Sequence, residues 1–178
     1  MEALLVIDVQ KAFNHEKFGK RNNPDAENNM VMIIDYFRNQ NKEVIHIQHV
    51  SDNPISLFHK DNLQDFKNGF QPLMHEKVFR KTDNSAFIGT TLLEYLQSKS
   101  IKSLTIIGLT LPHCVSTTTR MAQNFGFNVT LISDATASFD LLDYHGKLQK
   151  AEDIHHYNLT ALYDEFANVI DTQTLLGN

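Results

Sequence analysis

The chain's only cysteine, Cys114, sits in the stretch Thr105–Phe127, TIIGLTLPHCVSTTTRMAQNFGF. That stretch reads as a β-branched strand, a glycine-marked turn and an amphipathic helix, with the thiol where turn becomes helix. Unpaired amides and the positive end of the macrodipole favour a thiolate at such a place, so Cys114 is a candidate nucleophile. A lone cysteine is also at home as a small buried hydrophobe. Two further residues could join it. Asp8 interrupts the apolar run Ala3–Val9, and Lys81 closes the segment KVFRK. A thiol, an acid able to move protons and a cation together make nucleophilic catalysis physically reasonable. Taken singly, Asp8 could merely bond turn amides and Lys81 could be solvated.

The elements that must position these residues alternate between strand and helix. Ala3–Val9 suits a strand buried on both faces. Asn23-Pro24 offers an N-cap and first helical position for a helix over 24–40, with Met30, Ile33, Ile34 and Phe37 as its apolar face. Val44–Val50 is the second strand, followed by a long excursion over 51–76 with no sustained period. Lys77–Lys81 forms the third strand, and Thr91 with Glu94 fits a capping box for a helix buried through Leu92, Leu93 and Leu96. Ser103–Gly108 is the fourth strand. The helix after Cys114 buries Val115, Thr118, Ala122 and Phe125 and stops at Gly126. Phe127–Ser133 is the fifth strand, ending in the loop DATASFD; a helix over 150–166 and the short strand NVID close the chain. The pattern predicts a single α/β domain over 1–178: a three-layer α/β/α fold with a six-stranded, mainly parallel sheet in order 3-2-1-4-5-6. Asp8, Lys81 and Cys114 then lie at or just beyond strand ends on one rim, with the first and fourth strands adjacent where the order reverses.

Three motifs, Asp8 in LLVIDVQKAF, Lys81 in VFRKTDNSAF and Cys114 in GLTLPHCVSTTTRMAQNFGF, resemble in identity and order the signature regions of the isochorismatase-like cysteine hydrolases, a superfamily that includes nicotinamidases. The resemblance continues through LISDATASFD and FANVIDT. It implies an Asp8–Lys81–Cys114 catalytic triad, a cis peptide bond at Leu109–Thr110, and an oxyanion site formed by the backbone N–H groups of Thr110 and Cys114. It further implies that Asp8 takes the thiol proton, Lys81 favours the charged forms, and Cys114 attacks a carbonyl carbon to give a thioester that water then hydrolyses. The implied activity is hydrolysis of an amide or related C–N bond in a small molecule. Isochorismatase-type cleavage of a vinyl ether, which need not use a thiol, is the alternative within the fold, and a non-catalytic ligand-binding role stands outside this class. The turn TLPHC departs from members that carry small residues and an Asp before the position of His113; Pro112 supplies no N–H and biases Leu111 toward extended backbone.

Two other patterns compete for these residues. His113-Cys114, five residues and Arg120 match the HCx5R arrangement of cysteine-dependent phosphatases, but VSTTT lacks the glycines that wrap a loop around phosphate. Nicotinamidases hold a metal through an Asp-x-His and further histidines after the second strand. Here that region gives His46, His49, Asp52 and His59 without an Asp-x-His, and residues three apart on a strand face opposite sides. No metal and no cofactor is expected. Pocket candidates are Phe13, His49, Asn84, Phe87 and His113; His155-His156 reads as a solvated pair.

Composition bounds the remaining classes. A formal charge of −5 without a Lys/Arg cluster argues against nucleic acid or an anionic membrane as partner. No apolar run approaches the roughly 20 residues of a membrane span, and a single cysteine suits a reducing compartment, so a cytoplasmic location is expected. Phe58, Phe66 and Phe70 would be unusual if exposed on the 51–76 segment, which with the family resemblance leads to an expected homo-oligomer.

Overall fold

Strand β1 (Glu2–Ile7) runs through the middle of the sheet, and Ala3 to Ile7 are wholly buried, which is why its sequence does not alternate. The computed structural model describes residues 1–177. After β1 come helix α1 (Ala26–Asn39), β2 (Glu43–His49), β3 (Lys77–Lys81), α2 (Leu92–Ser98), β4 (Ser103–Leu109), α3 (Ser116–Asn124) and β5 (Asn128–Ala137). A two-residue hairpin, β6 (Leu141–Leu142) and β7 (Leu148–Gln149), precedes α4 (Ala151–Leu162), β8 (Asn168–Ile170) and α5 (Thr172–Leu176). The main sheet is parallel throughout, in order β3-β2-β1-β4-β5-β8. This is the expected order, with β8 as its sixth strand.

Alternate residues of β1 feed two separate cores. Leu5 and Ile7 pack with Leu92 and Leu96 of α2, Ala122 of α3 and Leu162 of α4. Leu4 and Val6 pack with Met30, Ile33 and Phe37 of α1. The sheet is thereby fixed between two helical layers, and its carboxyl-end rim is left to carry chemistry.

Several local expectations give way to longer-range contacts. Helix α1 starts after Asp25, not at Asn23. The Asn23 amide instead donates to the carbonyls of Ser133 and Thr136 at 3.1 and 2.8 Å, tying the segment to β5. Thr91 precedes α2 but makes no side-chain cap; the Thr90 hydroxyl takes the Leu92 N–H. Strand β5 extends to Ala137, through residues expected to be loop, because a bulge between Ile106 and Gly108 lets Thr136 and Ala137 pair with Gly108 and Leu109. Gly108 itself belongs to β4 and has φ +131°; a Cβ there would lie 2.1 Å from the Ile7 carbonyl oxygen. Phe125 is exposed, its ring edge packed on Phe87. His155 is buried with Nε2 3.0 Å from the Thr136 hydroxyl while His156 stays outside, so the pair is split.

The long segment between β2 and β3 folds back onto its own chain. Phe58 packs against Phe13 and His49, Phe66 against His46, and Phe70 enters the α1-side core. Exposed aromatics on this segment therefore give no support to self-association. Its return is anchored by Glu76, whose buried carboxylate accepts from Arg38 at 2.7 and 2.9 Å, from the Leu73 N–H at 2.8 Å and from His46 Nε2 at 2.9 Å. Burial would raise the Glu76 carboxyl, but these donors hold it down at about 2. No helix among the described residues is long and apolar enough to cross a membrane.

Candidate active site

Asp8 follows β1 with φ 51°, a left-handed conformation that aspartate tolerates better than most side chains. Its backbone stays tied to the sheet, with the N–H donating to the Ile47 carbonyl at 3.0 Å. The carboxylate is fully buried and accepts from Lys81 Nζ at 2.7 Å. Lys81 ends the edge strand β3, and its long side chain reaches inward past β2 to the centre of the rim. There Nζ also meets the Asp83 carbonyl at 3.1 Å, His49 Nδ1 at 3.3 Å and Cys114 Sγ at 3.3 Å. Residues far apart in sequence are thus brought to one point by the parallel sheet.

Cys114 lies in a π-helical turn, Leu111–Val115, one turn ahead of α3. The Leu109–Thr110 peptide bond is cis, and Thr110 is extended with φ −100° and ψ 151°. Helical backbone begins at Leu111, so the extended residue before it is Thr110. Pro112 sits in the first turn, where its missing N–H removes no helical bond. His113 Nδ1 and the Thr110 hydroxyl are 2.9 Å apart, cross-linking the turn that surrounds the thiol.

Electrostatics at the thiol run against the reading from helix ends. Burial and the neighbouring Asp8 carboxylate push the Cys114 thiol up to about 12, outweighing Lys81. Burial likewise lifts Asp8 above the ordinary carboxylate range, although Lys81 pulls it down. The resting arrangement is a neutral thiol beside a lysine-paired carboxylate. No thiolate is stored at rest.

Above these groups opens a cavity of about 380 Å³. Asp8, His49, Asn84, Thr110, His113 and Cys114 supply its polar floor. Phe13, Phe18, Phe58 and Phe139 form an aromatic wall, with Phe13 centred 5.1, 5.3 and 6.2 Å from the other three in that order. Pro112, Leu141 and Leu142 complete the apolar lining, and Lys17 and Asp140 stand at its edge. Phe87 is not among the lining residues: it is buried between Phe125 and Phe127 in the core on the α2–α3 side. Proximity in sequence to Lys81 misplaced it, because the chain turns inward after Ser85. Phe18, Phe139, Leu141 and Leu142 went unrecognised in the sequence. Phe139 alone carried a usable signal, standing just beyond the end of β5 on the same rim. Gln10 was also missed. It is fully buried and clamps His49, donating to its carbonyl at 2.8 Å and accepting from its N–H at 2.9 Å.

Neither competing pattern assembles here. The Arg120 guanidinium lies 4.3 Å over the Phe166 ring, stacked on the helical layer instead of facing the thiol. His46 points to the opposite sheet face and bonds Glu76, and His59 Nδ1 accepts from the Asp61 N–H at 3.3 Å. Asp8, His49 and Cys114 do present donor atoms within 4.8 Å of one another. Yet Lys81 Nζ approaches all three at 2.7 to 3.3 Å. A cation already occupies the place where a metal would have to sit, and this donor set does not fit one.

The comparisons with known proteins meet this geometry from the side of sequence and fold. The family model described as Isochorismatase domain matches residues 2–174. The isochorismatase family protein YrdC of Bacillus subtilis is 47% identical, over 99% of this chain and 95% of its own length. Nicotinamidase 3 of Arabidopsis thaliana is 29% identical, over 99% of this chain and 89% of its own. Among solved structures, an isochorismatase-family protein from Chromobacterium violaceum superposes with a TM-score of 0.95 at 34% identity, covering 99% of this chain and 92% of that one. A match along almost the whole chain, on the fold whose rim gathers Asp8, Lys81 and Cys114, has one consequence: this chain belongs to the isochorismatase family of hydrolases.

Proposed function

We propose that the chain is a cysteine hydrolase that cleaves an amide or related C–N bond of a small, largely apolar molecule through a thioester on Cys114. The observation that carries this reading is the contact set at the cavity floor, where Lys81 Nζ lies 2.7 Å from Asp8 Oδ2 and 3.3 Å from Cys114 Sγ. Asp8 accepts the thiol proton as sulfur attacks the carbonyl carbon, and the backbone N–H groups of Thr110 and Cys114 receive the oxyanion. Collapse of the tetrahedral intermediate expels the amine, which takes the proton from Asp8. Water then gives a proton to the same carboxylate and attacks the thioester; release of the acid returns that proton to sulfur.

The raised thiol fits this sequence of steps, since proton transfer and attack are coupled and no free thiolate is stored. The lining fits it as well. Among the described residues, Lys17 at the edge is the only lysine or arginine that lines the cavity. A neutral amide suits such walls better than a polyanionic vinyl ether. The named activity of Nicotinamidase 3, a relative along nearly the whole chain, is also C–N hydrolysis. The test is ammonia or amine release from a panel of small carboxamides, comparing wild type with Cys114→Ala. Release by the wild type alone supports the reading, and undiminished release by the variant refutes it.

A further inference from the structure

Lys81 Nζ carries three N–H groups and has four acceptors within 3.3 Å: Asp8 Oδ2, the Asp83 carbonyl, Cys114 Sγ and His49 Nδ1. The first two, at 2.7 and 3.1 Å, take one each. For the third, an imidazole nitrogen is a much better acceptor than a neutral thiol. An acceptor nitrogen cannot hold the ring proton, so with Nδ1 taking the third Lys81 N–H the proton lies on Nε2. Burial first and then Lys81 hold the His49 imidazole below its ordinary value, outweighing Asp8 and the Asp83 carbonyl, and so favour the neutral ring.

The far edge of the ring is free to act. Nε2 has no hydrogen-bond partner among the described residues and is not among the buried unsatisfied atoms, so it opens to the cavity that His49 lines. The ring is also rigidly held. Gln10 bonds both backbone groups of His49, at 2.8 and 2.9 Å, and Phe58 packs edge-on with centroids 5.0 Å apart. A fixed donor facing an otherwise apolar wall selects among ligands, because an acceptor placed opposite it is satisfied and a CH₂ there leaves the N–H unpaired.

We propose that His49 is a specificity-determining residue that offers an Nε2–H to the substrate, so that carboxamides carrying a neutral hydrogen-bond acceptor, such as an ether oxygen, are preferred over their hydrocarbon isosteres. This rests on the C–N hydrolase reading for the word carboxamide, but not for the donor itself.

Two measurements test it separately. In protein labelled with ¹⁵N-histidine, long-range ¹H–¹⁵N correlation reads the His49 tautomer, assigned by loss of the signal in His49→Phe. The expected result is a neutral Nε2–H ring at pH 7 whose Nδ1 shift changes in Lys81→Met; an Nδ1–H tautomer or a charged ring overturns the proposal. The second measurement compares cyclohexanecarboxamide with the 2-, 3- and 4-ring-oxygen oxane carboxamides. The best oxane isomer should be favoured roughly tenfold in kcat/KM by wild type, with the ratio falling to about one in His49→Phe and partly recovering in His49→Asn. If none of these amides is hydrolysed, the same comparison is made by ligand titration of the His49 Nε2 signal. Preference in binding without turnover sinks the hydrolase reading and leaves the donor standing. Equal binding or turnover of oxane and cyclohexane by wild type overturns the donor.

Discussion

At the residue scale, the decisive feature is that burial pushes both Asp8 and Cys114 toward their protonated forms; the Asp8 carboxylate pushes the thiol further up, while Lys81 and the hydrogen bond with Cys114 pull Asp8 part of the way back down. Asp8 must be ionised to take the thiol proton. Activity should therefore rise with pH through a midpoint above the ordinary aspartate value of 3.8, and it should not wait for thiol ionisation. Thiolate absorbance near 240 nm, compared with Cys114→Ser, should appear only well above the free-cysteine value of about 8.5. A thiolate at neutral pH would contradict the coupled transfer. Asp8→Asn keeps a side chain that tolerates left-handed backbone, so it should fold normally while kcat/KM drops by about 10²- to 10⁴-fold. Asp8, Lys81 and Cys114 were legible in the sequence because strand ends assign a rim without any knowledge of side-chain packing. Phe18 and the Leu141–Leu142 wall were not, since the loops that bring them over the thiol obey no period. Phe87 was misread for the same reason.

At the element scale, the contact between β1 and β4 sets the distance from Asp8 to Cys114. That contact depends on Gly108, where a Cβ would meet the Ile7 oxygen, nitrogen and carbonyl carbon at 2.1 to 2.8 Å. Backbone atoms cannot step aside as a flexible side chain can. Gly108→Ala should cost about 3 kcal/mol or more in urea unfolding and disturb the Asp8 turn directly. A loss under about 0.5 kcal/mol would show that the strands are not held as described. The strands were readable from their apolar runs, and β1, β2 and β4 fall where those runs predict. The extension of β5 to Ala137 was hidden, because the residues of DATA are small and polar enough to pass for loop. Only the bulge opposite Ile106–Gly108 brings them into register.

At the scale of the whole molecule, the segment between β2 and β3 has to be held against the sheet for Phe58 to serve as a cavity wall. Glu76 does this from the opposite face through Arg38, His46 and the Leu73 N–H. Its folded value of about 2 lies below the ordinary 4.5. The stability it contributes is thus fully present above about pH 4.5 and is lost as pH falls through about 2. A shift of that size corresponds to roughly 3 kcal/mol. Glu76→Gln should lose a similar amount at neutral pH, and its stability should change less than that of wild type between those two pH values; parallel acid curves would contradict this role. The family, the sheet order and the three-motif rim could all be argued from sequence, whereas this anchor could not, because it joins residues 38, 46 and 76 through one buried carboxylate. A thioester on Cys114 is expected to form in the intact enzyme during turnover. Acid-quenched intact-mass analysis, on the first carboxamide that releases ammonia, should show an adduct equal to the acyl group, mapped to Cys114 and absent from Cys114→Ala. Steady hydrolysis with no acyl adduct, retained when Cys114 is replaced by alanine, would contradict it.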